Sequence, residues 1–113
     1  MIDPNKVTAP KDKWELIGVL YDGGAGEESI AYGKWEGTRV ICCRYNGSAK
    51  SGDAGFPKSK SNSAPMWFVL PWWIGEAALK RLLWDYHSGD PDWSKGINHE
   101  ALCRAVKECR LEE

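Results

Sequence analysis

The chain has 113 residues, of which 42% are hydrophobic and 27% charged, and its formal net charge at pH 7 is −1. This length and composition predict one soluble globular domain, and the balanced charge excludes a general electrostatic attraction to nucleic acid or anionic membrane. No apolar run approaches the ~18 residues of a membrane span and no signal-peptide pattern follows Met1, so we expect a cytoplasmic protein.

The first half of the chain predicts an N-terminal arm and three strands. Residues 1–12 contain two prolines and no periodicity, so we expect a flexible arm ahead of a single domain at 13–113. Strand-forming residues follow at 14–21, 29–35 and 38–45, separated by short glycine-containing turns. The glycines at 23–26 could cradle a phosphate, but no Gly-Lys-Ser/Thr motif follows, which favours a hairpin turn.

A long polar segment at 46–65 separates the third strand from the rest of the chain. Its only large apolar residue is Phe56, which would be the anchor if the segment were ordered. Loops of this length are usually functional or mobile, and the interpretation that requires no function is a solvated spacer between two strands. The alternative is contact with an anion or a nucleic acid, through an aromatic and basic set that comprises Arg39, Arg44, Tyr45, Lys50, Lys58 and Lys60.

The second half predicts one strand and two helices. The continuous apolar run at 66–70 indicates a central strand covered on both faces, and Pro71 separates it from a helix at 72–87. Gly89 would end that helix, and Asn98 would cap a last helix at 99–111. The fold class is therefore α+β, a four-stranded mainly antiparallel sheet followed by two helices (ββββαα). The predicted core comprises Leu16, Val19, Val40, Ile41, Phe68, Leu70, Leu79 and Leu82.

The helix at 72–87 has an unusual pattern on its charged side. At about 100° per residue, Leu79 and Leu82 face the sheet, while Trp73 and Trp84 fall on the opposite side. Ala77 and Lys80 lie between the two tryptophans, which predicts an apolar stripe suited to a homodimer or a protein partner. Its alternative is cover within the monomer, by the last helix through Ile97, Leu102 and Val106, or by the loop at Asp92 and Trp93.

Other chemistry has weaker support in the sequence. The four cysteines show no CxxC motif and are expected to be reduced and mostly buried. His99 and Cys103 have the i, i+4 spacing of two metal ligands, but no second spaced pair completes a zinc site. A cysteine–histidine nucleophile has no supporting motif. We therefore assign no catalytic residue, no metal and no cofactor.

The short, tryptophan-rich chain, with GFPKSKSNSAPMWFVLP at its middle, resembles the small proteins encoded in integron gene cassettes. The resemblance covers no catalytic motif and implies a bacterial, cytoplasmic protein with an accessory role. Three function classes follow from the sequence. The first is an interaction module that self-associates or binds a protein partner, the second is a nucleic-acid or anion-binding protein, and the third is a small hydrolase-like enzyme without assignable roles.

Overall fold

The computed structural model describes residues 1–89 and 94–110. Its elements are a 3-10 helix at Pro4–Lys6, β1 at Trp14–Asp22, β2 at Glu28–Trp35, β3 at Thr38–Tyr45, β4 at Phe68–Val69, α1 at Trp72–Ser88 and α2 at His99–Glu108. The strands form one antiparallel sheet in the order β1-β2-β3-β4. The predicted α+β fold with two helices after the strands is confirmed.

The turn between β2 and β3 is a two-residue hairpin, as the sequence predicts. Glu36 and Gly37 have φ angles of 48° and 83°. Two consecutive left-handed residues are typical of the type I′ turn, whose twist matches that of the flanking strands. The two strands then pair without interruption from Trp35 opposite Thr38 to Glu28 opposite Tyr45. This register decides which side chains share each face of the sheet.

Both helices cover the same face of the sheet. Tyr32 of β2 lies opposite Ile41 of β3, and both are fully buried. They pack in one cluster with Leu79 and Leu82 of α1 and Leu102 of α2. The amphipathic pattern of α1 therefore has the orientation that the sequence predicts.

Gly75 permits close contact between α1 and the sheet. A Cβ atom at this position would lie 3.0 Å from the Cβ atom of Ile41. That separation is shorter than ordinary van der Waals contact, so a larger residue would push the first turns of α1 away from β3. The glycine therefore has a packing role, although glycine lowers intrinsic helix stability.

The N-terminal segment covers the opposite face of the sheet, contrary to the expectation of a flexible arm. Asp3 caps the 3-10 helix by accepting from the Asn5 N–H, and Val7 is only 1% exposed. The Trp67 indole Nε1 donates to the Val7 carbonyl oxygen over 2.8 Å. Burial of apolar side chains therefore fixes the arm in place, in a second core of Val7, Trp14, Val19, Ala31, Cys42 and Trp67.

The predicted central strand at 66–70 is wrong in length and in position. β4 has two residues and lies at the edge of the sheet, where Phe68 pairs with Cys43 and Val69 pairs with Cys42. Phe68 is 55% exposed, so its predicted core position is also wrong. The run at 66–70 is apolar for a different reason than burial of both faces. Trp67 fills the second core, while Phe68 projects from the other face of an edge strand.

The other core predictions agree with the structure to different degrees. Buried residues among them are Val19, Ile41, Leu79 and Leu82, and partly buried ones that pack against a core are Leu16, Val40 and Leu70. The alternating pattern of the strands thus located the core layers, since every second side chain of a strand projects from the same face.

The helix ends also follow from local sequence. Gly89 has φ 73° and donates its N–H to the Asp85 carbonyl oxygen, which is the predicted left-handed cap. The Asn98 side chain accepts from the Ala101 N–H over 3.2 Å, which confirms the predicted N-cap of α2. α2 ends at Glu108, whereas 111, its predicted end, lies outside the described residues, as does the predicted turn at 90–92.

Candidate interaction surface on the first helix

α1 has large apolar side chains on two opposite faces. Leu79 and Leu82 on the inner face are at most 1% exposed and belong to the core. Trp73 and Trp84 project from the outer face and are 73% and 71% exposed. Trp is costly to leave in water, so this arrangement distinguishes the outer face from an ordinary polar helix surface.

We refer to Trp73, Ala77, Lys80 and Trp84 as the tryptophan stripe. All four are exposed, so the structure brings the predicted set together on one surface. With a rise of 1.5 Å per residue, the two tryptophans are about 16 Å apart along the helix axis. The Lys80 Nζ atom lies 3.7 Å from the Glu76 carboxylate, and this exposed pair contributes little to the monomer's stability.

α2 does not cover the tryptophan stripe. Leu102 is fully buried, and Ile97 and Val106 are partly buried, but all three pack in the cluster beneath α1. The structure therefore does not support the alternative in which these residues shield the stripe within the monomer. The other cover suggested by the sequence, the loop at Asp92 and Trp93, lies outside the described residues.

Arg44 is a structural residue and does not face solvent. It is 2% exposed, its Nη1 donates to the Met66 carbonyl oxygen over 2.7 Å, and its Nη2 donates to that of Ala54. Burial lowers the pKa of its guanidinium. The predicted contact of Arg44 with an anion or a nucleic acid is therefore wrong. Both of its Nη groups, which would bind such a ligand, already donate to backbone carbonyl oxygens at 54 and 66.

The base of the 46–65 segment is tied to the sheet. Asn46 is fully buried and accepts a hydrogen bond from the Ser29 hydroxyl over 2.8 Å. Phe56 and Tyr45 exchange two backbone hydrogen bonds, at 3.0 and 2.8 Å. The Asp53 carboxylate accepts from the Ser48 N–H over 2.9 Å. The segment is therefore held at several points, which a purely solvated spacer would not show.

A second exposed apolar surface lies beside this segment. Tyr45, Phe56 and Phe68 are 40%, 66% and 55% exposed, and they line a hollow of about 330 Å³. Phe56 is thus no buried anchor, although its backbone pairs with β3. Sequence reasoning selected Tyr45 but missed the two phenylalanines, because nothing local shows that β4 is an edge strand. Lysines 50, 58 and 60 of the 46–65 segment are all exposed, and none of them lines the hollow.

Arg39 is separated from the rest of the predicted basic set. It lies near the start of β3, whereas Tyr45 is its last residue. Six residues of strand place the two about 20 Å apart. Arg39 therefore belongs to a different surface, where it lines a cavity with residues of α1 and α2.

The histidine and cysteine candidates form a pair but no metal centre. The Cys103 Sγ lies 3.2 Å from the His99 Nε2, and the His99 ring stacks on Tyr86 with centroids 4.2 Å apart. Among residues 1–89 and 94–110, no three potential ligands converge on one point. All four cysteines are free, and burial raises the pKa of Cys42 to about 12, which keeps that thiol protonated.

Comparison with known proteins finds no match to this chain among family models, curated proteins or solved structures. The resemblance to integron-cassette proteins therefore stays a prediction. Within the part of the chain that the structure describes, no helix is long and apolar enough to cross a membrane.

Proposed function

We propose that this protein is a small interaction module that forms a homodimer through the tryptophan stripe of α1. The observation that supports this proposal is the exposure of Trp73 and Trp84 on the face opposite the core. Single exposed apolar residues are common on monomers, but aligned tryptophans are enriched where surfaces bind. The partner is a second copy of this chain because the stripe is complementary to itself.

Self-complementarity follows from the order of residues along the helix. When two α1 helices pair antiparallel about a two-fold axis, Trp73 of each copy meets Trp84 of the other. The same symmetry brings Glu76 of one copy close to Lys80 of the second. The reason is that the midpoint between Glu76 and Lys80 along the helix nearly coincides with the midpoint between Trp73 and Trp84, near residues 78 and 79. Opposite charges then adjoin across the contact, whereas a parallel pairing would set Lys80 against Lys80.

The available area predicts a weak dimer. A fully covered indole side chain buries ~150–250 Å², so the two exposed tryptophans offer on the order of 300 Å² per subunit. A standard stable interface buries about 800 Å² per partner. We therefore expect reversible association with a dissociation constant on the order of micromolar or higher.

Sedimentation velocity over a range of protein concentrations tests the proposal. The wild type should shift towards a dimer as concentration rises, and Trp73→Ala and Trp84→Ala should each abolish that shift while remaining folded by circular dichroism. Phe56→Ala is the matched control, because it removes a comparably exposed aromatic ring from a different surface. A wild type that stays monomeric at about millimolar concentration, or an equal effect of Phe56→Ala, would contradict the dimer.

A second candidate function rests on the hollow formed by Tyr45, Phe56 and Phe68. Exposed aromatic rings beside lysines can hold single-stranded nucleic acid by base stacking and phosphate contact. Here the cations would be Lys50 and Lys58, helped by Lys60, without Arg44. A salt titration of binding to a single-stranded oligonucleotide tests this function, since phosphate contacts release counterions and make affinity fall with salt. A flat response would remove it.

A further inference from the structure

A cavity of about 350 Å³ lies between the start of β3, the start of α1 and the end of α2. It is lined by Arg39, Trp72, Glu108, Cys109 and Arg110. No local sequence pattern indicates this cavity, because its walls come from three segments that are distant along the chain. Its volume is at the lower end of the range of small-molecule sites, ~300–1,000 Å³.

Among the described residues that line this cavity, Glu108 is the one carboxylate, and it already accepts hydrogen bonds from other groups. Glu108 Oε1 accepts from the Tyr32 hydroxyl over 2.8 Å, and its Oε2 accepts from the Arg104 Nε over 2.7 Å. The hydrogen bond from Arg104, and to a smaller extent the one from Tyr32, lowers the pKa of Glu108. Both oxygens have a partner, so Glu108 is held in place, and it acts on Arg39 as a nearby negative charge without a hydrogen bond.

Arg39 and Arg110 are the two arginines among the described residues that line the cavity. Among the described residues, neither lies within 4.0 Å of a carboxylate. Lys34 lies directly opposite Arg39 in the sheet, and Glu15 lies opposite Lys34 on the other side. Together with Arg104 and Glu108, the side chains named here comprise four cations and two carboxylates. These six side chains therefore carry more positive than negative charge, in a chain whose net charge is −1.

The remaining walls of the cavity are apolar. Trp72 is 44% exposed and presents an indole to the cavity edge, and Cys109 is partly buried beside it. An indole offers a flat surface for stacking, while a guanidinium offers a planar fork that binds carboxylate or phosphate with two hydrogen bonds. The two features together fit a ligand that is both flat and negatively charged.

We propose that this cavity binds a small planar anion, namely an aromatic ring that bears a carboxylate or a phosphate group. Arg39 and Arg110 would bind the anionic group, and Trp72 would stack on the ring. The site does not depend on dimer formation, because Trp72 lies about 100° around α1 from Trp73 and thus beside the stripe, not within it.

The test is titration of the full chain with three probes, followed by NMR of the tryptophan indole N–H signals and by calorimetry. The probes are benzoate, adenosine monophosphate and inorganic phosphate. The Trp72 signal is assigned by its loss in Trp72→Phe. We expect at least one aromatic probe to shift that signal in a saturable way and to bind more tightly than inorganic phosphate does.

Two charge-neutralising variants and a matched control complete the test. Arg39→Gln and Arg110→Gln should each weaken binding of the aromatic probe about tenfold, as loss of a charge-assisted hydrogen bond does. Lys107→Gln makes the same charge change at an exposed position of α2 outside the cavity, and it should bind within about twofold of the wild type. No saturable shift of Trp72, equal binding of inorganic phosphate, or equal losses in all three variants would overturn the site.

Discussion

Trp73 and Trp84 lie eleven residues apart on α1 and share its outer face, where they are 73% and 71% exposed. Eleven residues correspond to about three helical turns, so the two indoles are nearly aligned along the helix. The inner face of the same helix already supplies Leu79 and Leu82 to the core. The two tryptophans are thus available for binding.

The antiparallel arrangement predicts the result of a charge swap at Glu76 and Lys80. Glu76→Lys would set like charges together across the two-fold contact and weaken the dimer by a factor of about 2–5, as rim ion pairs do. The double variant Glu76→Lys/Lys80→Glu should restore association measured by sedimentation, because every charge pair is then reversed. If the double variant dimerises no better than the single one, the antiparallel geometry is wrong.

Two positions on α1 should differ sharply in their effect on stability. Leu82→Ala removes a side chain that is 1% exposed, and we expect it to lower the free energy of unfolding by about 2–5 kcal/mol. Trp84→Ala, two residues further along, should change it by no more than ~0.5 kcal/mol in the monomer. Urea denaturation at low protein concentration measures both. Similar losses at the two positions would mean that the outer face is buried in solution.

Asp53 predicts a pH dependence of local order in the 46–65 segment. Hydrogen bonds from Ser48 and then from Gly55 lower the pKa of its carboxyl from an ordinary 3.8 to about 2. Because the folded-state pKa is depressed, these bonds stabilise the segment fully above pH ~4 and are lost as the pH falls towards 2.

NMR titration of the Ser48 and Gly55 amide signals checks this prediction. The midpoint should lie near 2, and Asp53→Asn should remove the transition from both signals. A midpoint close to the ordinary 3.8 would show that the carboxylate does not hold the segment in solution.

Arg44 should control how readily a protease cuts the 46–65 segment. Arg44→Gln would lose the hydrogen bonds that hold the chain at Ala54 and Met66, so the 46–65 segment should open more often. Limited trypsin digestion should cut the wild type first at the exposed Lys58 or Lys60, and it should cut Arg44→Gln several-fold faster. Lys107→Gln is a control that also removes a cation, at an exposed position of α2. An equal increase there would show a general loss of stability instead.

Local patterns in the sequence predicted much of the fold. Alternation in 14–45 and the 3.6-residue period of α1 identified the strands, the first helix and its inner face, because each depends on neighbouring residues alone. The Gly89 cap, the Asn98 cap and the turn at Glu36 and Gly37 follow from intrinsic backbone preferences. For the same reason the outer position of the tryptophan stripe was readable without a structure.

Contacts between distant segments decided the rest. The apolar run at 66–70 looks the same whether its strand is central or at an edge, and only strand order shows that Phe68 is exposed. From the sequence, Arg44 is expected to be a surface cation. Only the structure shows that backbone carbonyl oxygens at 54 and 66 accept its hydrogen bonds. Tertiary packing likewise brings Arg39, Trp72 and Arg110 to one cavity. A sequence pattern records the periodicity of each segment, whereas burial depends on which other segment packs against it.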